Sequence, residues 1–310
     1  MKKIAILGAT GHIAKGLMLG LSDSNYELYL FARSLKRIAD FARSNRKDKE
    51  FNIMPFGQFS DTEYDVIINC VGIGDPGKLK NSGFEVFSIT EQYDSLVLDY
   101  LANYTSALYI NLSSGATYGT AFEVPADELT YAQVNINNIT TNDYYGIAKL
   151  YIEAKHRALT NYNIVDLRIF GYFSRFINLD SKYFISEIIS CIRQNKEFIT
   201  GPGNIVRDYV HPRDLVCLVE RCIDRHIIND VYDVYSLAPA TKFEILDYFT
   251  DLHSLKYVIN DSVVIQTATG CKDYYYSKSR KAEEIGYNPH FTSLECIDEE
   301  TKFFLGKNIG

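Results

Sequence analysis

Lys3 to Leu7 is a short β-type run that breaks into Gly8-Ala9-Thr10-Gly11-His12-Ile13-Ala14, and residues 12–22 continue with a helical apolar period. Few folds use strand, glycine turn and helix in this order. Gly8 permits the tight turn, and Gly11 lets a phosphate approach the backbone. Thr10, His12 and Ile13 stand where the helix start offers free N–H groups and a positive dipole end. Ala14 takes the third small position and still allows close packing of helix on strand. The context predicts a dinucleotide-binding turn; a plain structural turn is the competing reading of the motif alone.

The chain then alternates short apolar runs with helical stretches, the pattern of a parallel sheet wrapped by helices. Strands are predicted at Glu27–Ala32, Asn52–Phe56, Asp65–Val71, Ala107–Leu112 and Ile164–Ile169. A basic helix runs through Arg43. Residues 84–103 place Val86, Ile89, Tyr93, Leu96, Val97 and Tyr100 on one helical face, and Asp143–Leu159 reads as a helix capped by Asn142 or Asp143. Beyond Phe170 the pattern changes. Gly201-Pro202-Gly203 marks a turn, Pro212 opens a helix to about Arg225, Val231–Tyr235 is a strand, and Lys242–Leu252 and residues 293–305 are helices. The expected architecture is α/β, a Rossmann-type doubly wound parallel sheet over residues 1–170 with a smaller C-terminal substrate-binding domain over residues 171–310. Some segments of the latter return to the first domain.

Composition narrows the function. In 310 residues, 46% apolar and 23% charged content is ordinary globular usage, which excludes a disordered or collagen-like chain. Lys+Arg 32 against Asp+Glu 39 gives a net charge of −7, the wrong sign for a nucleic-acid binder. No window approaches the roughly 18 apolar residues of a membrane span, and the Ile4–Leu7 run is too short for a secretory leader. The six cysteines form no CxxC pair and read as free thiols, so a cytoplasmic location is expected. The six histidines are scattered, and no metal site is read.

Three further features carry chemistry. The second strand ends in Phe31-Ala32-Arg33-Ser34, with Arg37 one turn on and no acid before Asp40. A free ribose 2′-hydroxyl wants a carboxylate here, and a 2′-phosphate wants cations. Arg33, Ser34 and Arg37 therefore favour NADP over NAD; the competing reading is a solvated basic helix face. The strand Ala107–Leu112 runs into Ser113-Ser114-Gly115-Ala116, and Tyr145 and Lys149 stand at i and i+4 on a later helix, sharing one face. An ammonium near a phenol favours the phenolate, which lets a tyrosine exchange a proton with a carbonyl or alcohol oxygen. A serine at the sheet edge can hold the same oxygen.

In this order on these elements, the chain resembles the extended short-chain dehydrogenases/reductases, in the NAD-dependent epimerase/dehydratase branch acting on nucleotide sugars. GATGHIA is similar to the family's glycine turn, DVIINCVG to its fourth strand and loop, INLSSGATYG to its serine strand and YGIAK to its catalytic helix. LRIFGYF, RDYVHPRDL and YYYSKSRKAEEIGYNP continue the likeness. The resemblance implies that Ser114 holds the substrate oxygen and that Tyr145 is the acid–base. Lys149 is implied as its partner and as a contact of the nicotinamide ribose. It implies cofactor contacts from Cys70, Val71 and Gly72, a substrate diphosphate on Arg207, and a homodimer through helices near 84–103 and 143–159. Gly171 stands where many members carry an asparagine.

Gly115-Ala116 occupies the place of the dehydratases' Asp-Glu pair, which argues against water elimination. The Arg33 pocket favours net reduction. The expected function is NADPH-dependent reduction of a nucleotide-activated 4-keto, 6-deoxy sugar for surface-polysaccharide precursors. The alternatives are an NAD-dependent nucleotide-sugar 4-epimerase and a non-catalytic NADP-sensing protein of the same fold. A second acid–base, needed only for epimerisation beside carbon 4, would fall to His211 or Cys191.

Overall fold

The structure is a computed structural model and describes residues 1–47, 51–74, 83–181, 183–225, 227–263 and 272–306. Its centre is a seven-stranded sheet of β1 (Lys2–Leu7), β2 (Tyr26–Phe31), β3 (Phe51–Met54), β4 (Val66–Asn69), β5 (Leu108–Ser114), β6 (Asn163–Ile169) and β9 (Asn229–Val234). The order is β3-β2-β1-β4-β5-β6-β9, and every pairing is parallel. The chain reverses direction across the sheet between β1 and β4, and ligands of doubly wound sheets bind at such a switch point.

Helices α1 (His12–Ser22), α2 (Leu35–Ser44), α3 (Glu85–Leu101) and α4 (Thr141–Ala158) connect these strands. Ile4 and Ile6 of β1 pack on one face with Leu17, Met18 and Leu21 of α1, while Ala5 and Leu7 pack on the other with Val97 and Leu101 of α3. Burial on both faces is why the parallel strands read as unbroken apolar runs. Later come α5 (Phe184–Arg193), which the periodicity did not flag, then α6 (Pro212–Ile223), α7 (Lys242–His253) and α8 (Ser293–Leu305). Helix α6 packs on α1, whereas α5, α7 and α8 bury Ile188, Ile189, Leu246, Phe249, Cys296 and Ile297 in a separate core. Short strands lie beside it: β7 (Phe198–Thr200) pairs with β11 (Tyr257–Ile259), and β8 (Val206–Arg207) lies between β10 (Ala240–Thr241) and β12 (Tyr274–Tyr275).

Two local expectations shift. Helix α4 is capped by Thr140, not by Asn142 or Asp143. The Thr140 backbone N–H donates to Asp143 Oδ2 at 2.8 Å in a reciprocal capping box that satisfies the helix's first donors. On α3, Ile89, Tyr93 and Leu96 are only partly buried, and Thr90 and Asp94 take the interior stripe with Val86, Val97, Tyr100 and Leu101. A buried aspartate reads as surface in any apolar pattern. Its burial is explained by partners described below. Among the described residues no helix is long and apolar enough to cross a membrane.

Candidate active site

The glycine turn sits at the carboxyl end of β1. Gly8 has φ +78°, a left-handed conformation that glycine adopts without strain, and a Cβ there would lie 3.0 Å from the Cys70 carbonyl carbon. The Gly8 and Ala9 N–H groups donate to the Phe31 carbonyl at 2.9 and 3.0 Å, pinning the turn, with Thr10 at its apex, to the end of β2. Gly11 caps α1 without a side chain; its own N–H donates to the Gly8 carbonyl at 2.9 Å, which leaves the first-turn N–H groups of His12 and Ile13 as the helix's uncapped donors. This cradle suits a pyrophosphate. His12 is neutral: burial, with Lys15 adding to it and the Tyr172 backbone opposing, brings its imidazole down to about 4.

Across the switch point, Cys70-Val71-Gly72 continue β4, and the Val71 N–H donates to Asn69 Oδ1 at 3.0 Å. Burial pushes the Cys70 thiol up to about 12, so it is no nucleophile. Arg33 and Arg37 are exposed at the end of β2 and the start of α2. Among the described residues neither makes an ion pair, and Ser34 caps α2 without using its hydroxyl.

Ser114 ends β5, beyond the expected strand boundary. Its Oγ accepts from the Ala116 N–H at 3.2 Å and lies 3.2 Å from the Tyr275 hydroxyl. It also meets the Tyr145 phenol from α4. Lys149, 3% exposed, donates to the Leu112 carbonyl at 2.8 Å, and its Nζ lies 3.8 Å from where a Gly72 Cβ would be. The structure thus brings Ser114, Tyr145 and Lys149 together opposite the β4 loop. It reverses one electrostatic expectation. The Tyr145 phenol is raised above its usual value, because burial outweighs the Ser114 bond; the Lys149 ammonium donates to a strand carbonyl. Burial also lowers the Lys149 ammonium, against the pull of Asp166, Asp94 and Glu153.

Those three acids belong to a buried polar layer under α4. His156, fully buried, bonds Asp94 Oδ1 through Nε2 at 2.7 Å and Asp166 Oδ1 through Nδ1 at 2.9 Å. Lys155 reaches Asp94 at 2.6 Å and Arg157 reaches Asp166 at 2.9 Å. Glu153 receives the Ser113 hydroxyl at 2.5 Å and a two-pronged Arg168 at 2.6 and 2.9 Å. None of these was read from the sequence. A signal existed: Tyr145, Lys149, Glu153 and His156 recur at spacings of 4, 4 and 3, a polar stripe on the buried face of one helix.

Other candidates lie elsewhere. Arg207, on β8, donates to the Val206 carbonyl at 2.8 Å and sits 6.0 Å from the Tyr275 ring centre. His211 caps α6 and stacks on Phe291 at 3.9 Å. Ligand atoms of His211, Glu299 and Glu300 lie within 4.8 Å of one another, but Arg213 and Arg175 already pair the two carboxylates at 2.9 and 2.5 Å. Cys191 lies on α5 with its thiol toward the Glu197 carbonyl. It and Cys70, Cys217, Cys222 and Cys296 are free; Cys271 falls outside the described residues.

Gly171 faces the Asp208 carbonyl oxygen, 2.3 Å from where a Cβ would sit. No side chain fits there, so the asparagine common in the resembled family has no place on this backbone. Gly171→Asn is expected to cost about 1–3 kcal/mol through overpacking, read as a lower urea midpoint at unchanged slope. An unmoved midpoint would show that the Asp208 segment yields.

The family model described as "NAD dependent epimerase/dehydratase family" matches residues 4–238. UDP-glucose 4-epimerase 2 of Arabidopsis thaliana is 22% identical, over 91% of this chain and 89% of its own. The UDP-N-acetylglucosamine 4-epimerase of Methanobrevibacter ruminantium M1, solved with UDP-N-acetylmuramic acid, superposes with a TM-score of 0.80 at 15% identity, covering 98% of each chain. The UDP-glucose 4-epimerase of Bifidobacterium longum, solved with NAD+ and UDP, gives 0.77 at 19% identity over 99% and 98%. At these identities the solved structures speak for the Rossmann-like fold.

Proposed function

The chain belongs to the NAD dependent epimerase/dehydratase family, and from that premise we propose that it is a nucleotide-sugar 4-epimerase working with a nicotinamide cofactor. The observation that carries this is the meeting of Ser114, Tyr145 and Lys149 opposite the Gly8 turn, with Gly115-Ala116 where a dehydratase needs carboxylates. The three 4-epimerase likenesses favour it over the net reduction expected above.

Thr10, His12 and Ile13 would offer the cofactor's pyrophosphate backbone N–H groups, Gly8 and Gly11, whose own N–H groups are spent inside the turn, would let it approach, Cys70, Val71 and Gly72 would flank it, and Tyr145 and Lys149 would hold its ribose. When bound, the cofactor supplies a reversible hydride acceptor at carbon 4. Tyr145 takes the proton of the 4-hydroxyl and returns it, Ser114 holds that oxygen, and Lys149 fixes the donor geometry on the β5 side. Arg207 holds the diphosphate. This cycle consumes nothing and needs no second acid–base from His211 or Cys191.

Arg33, Ser34 and Arg37 support a second reading, an NADPH-dependent 4-ketoreductase. One experiment separates them. Purified protein is given nucleotide hexoses with catalytic oxidised cofactor, and separately nucleotide 4-keto-6-deoxy sugars with NADPH. Formation of the 4-epimer without net cofactor consumption supports epimerisation. Stoichiometric loss of NADPH absorbance supports reduction. Turnover of neither leaves the cofactor-sensing alternative.

Cofactor choice is a separate prediction. NADPH should bind more tightly than NADH, and Arg33→Ala should weaken NADPH by about 10–100-fold, the worth of a charge-assisted bond, with NADH unmoved. Tighter NADH binding to the unaltered protein would overturn it. A cytoplasmic homodimer through α3 and α4 accords with five free thiols among the described residues and with exposed Phe84 and Tyr151; sedimentation as a monomer at micromolar concentration would contradict the dimer.

A further inference from the structure

Lys272 is 2% exposed, and among the described residues its Nζ has no hydrogen-bond partner. The ammonium ends over two aromatic faces, 4.1 Å from the Tyr275 ring centre and 4.9 Å from that of Phe122. Backbone pairing holds it there: Lys272 bridges Phe122, and the Asp273 and Tyr274 N–H groups both donate to the Phe122 carbonyl. Burial lowers the ammonium to about 7 and Arg207, of like sign, adds to the effect; among the described residues no carboxylate opposes them. A charge taken from water without a counter-charge is costly, and ring faces offset only part of that cost. Such a group is built to be completed by an anion.

Its position says which. Tyr275, under the Lys272 amine, reaches Ser114 at 3.2 Å, and Tyr275 is in register with Arg207 across β12 and β8. On the reading above, Ser114 marks carbon 4 of the sugar and Arg207 its diphosphate, so the hexose ring spans the wall to which Lys272 belongs. We propose that Lys272 recognises a carboxylate carried on that ring, making the substrate class a nucleotide-activated acidic sugar such as a uronic acid. The inference rests on the nucleotide-sugar reading. The diphosphate is the other source of anionic oxygen within the same site.

The test is calorimetric binding of UDP, UDP-glucose and UDP-glucuronic acid to the protein loaded with oxidised cofactor, comparing the unaltered chain with Lys272→Met. The dTDP series is run alongside. The unaltered chain should bind the acidic sugar at least about tenfold more tightly than the neutral one, the low end of a charged hydrogen bond. Lys272→Met should erase that difference, leave UDP within about twofold, and melt at the same or a higher temperature, since it loses an unpaired buried charge. Equal affinity for acidic and neutral sugars in the unaltered chain, or an advantage that survives in Lys272→Met, would overturn the proposal. A loss of UDP affinity as large as that of the acidic sugar would assign the lysine to the diphosphate and overturn it too. If UDP, dTDP and their sugars all fail to bind the unaltered chain, the nucleotide-sugar reading falls and the assignment with it. Binding of neutral nucleotide sugars alone sinks only the assignment.

Discussion

Tyr145→Phe is expected to lose turnover by roughly 10²–10⁴-fold, the range of a positioned acid–base, while cofactor affinity stays within about twofold. The substitution removes one oxygen and keeps the ring, so the packing of Tyr145 against Val86 and Ala148 survives. Lys149 does not depend on the phenol, because its ammonium is anchored to the Leu112 carbonyl. The lost atom is the one that meets Ser114 and would carry the sugar's 4-hydroxyl proton. Because burial raises the phenol, kcat/KM for sugar oxidation should climb with pH as Tyr145 ionises, and that alkaline limb should vanish in the variant. Steady-state rates over a pH series check both points. Full activity in Tyr145→Phe would remove this residue from the reaction.

His156→Ala is expected to lower unfolding free energy by about 3–5 kcal/mol, the cost of stranding buried charges. Both ring nitrogens face carboxylates, Asp94 at 2.7 Å and Asp166 at 2.9 Å, an arrangement that calls for the doubly protonated imidazolium. Burial disfavours that cation, but the two carboxylates outweigh it and raise the imidazole from 6.5 to about 9. Folding therefore takes up a proton as pH rises above the ordinary value. The stabilisation is full below about pH 6.5 and is lost as pH rises through about 9. Melting temperatures from pH 6 to 10 should fall steeply at the alkaline end for the unaltered chain and less so for His156→Ala. Parallel curves would show that the imidazole does not titrate between these carboxylates. Lys155 and Arg157 remain on the two aspartates in the variant, which argues for partial rather than complete unfolding.

The polar layer also explains why parts of the site were legible and others were not. Gly8 and Gly11 act through their own backbone. Tyr145 and Lys149 share a helix face because they are four residues apart. Such relations are local, and a string of residues contains them. The apolar strand announced only that Ser113 and Ser114 follow it; the choice of Ser114 came from the family resemblance, and the strand runs on to include both. Asp94 was illegible because its partner lies 62 positions on, and a charged residue in a helical period reads as solvent-facing until that partner is found. The pairing of phenol and ammonium was over-read. Spacing places Lys149 near Tyr145 but does not decide where the ammonium points, and a buried strand carbonyl competes for it.

Taken alone, the residue string determined the parallel αβ architecture, the glycine turn after the first strand and the i,i+4 placement of Tyr145 and Lys149, because apolar periods, glycine turns and i,i+4 neighbours are short-range physics. Tertiary structure decided that Tyr275 crosses 161 positions to touch Ser114, that Lys272 lies over its ring with no hydrogen-bond partner among the described residues, and that His156 is charged in the interior. Each of these depends on the dielectric and counter-charges that distant segments create when they pack, and no stretch of sequence carries that environment with it.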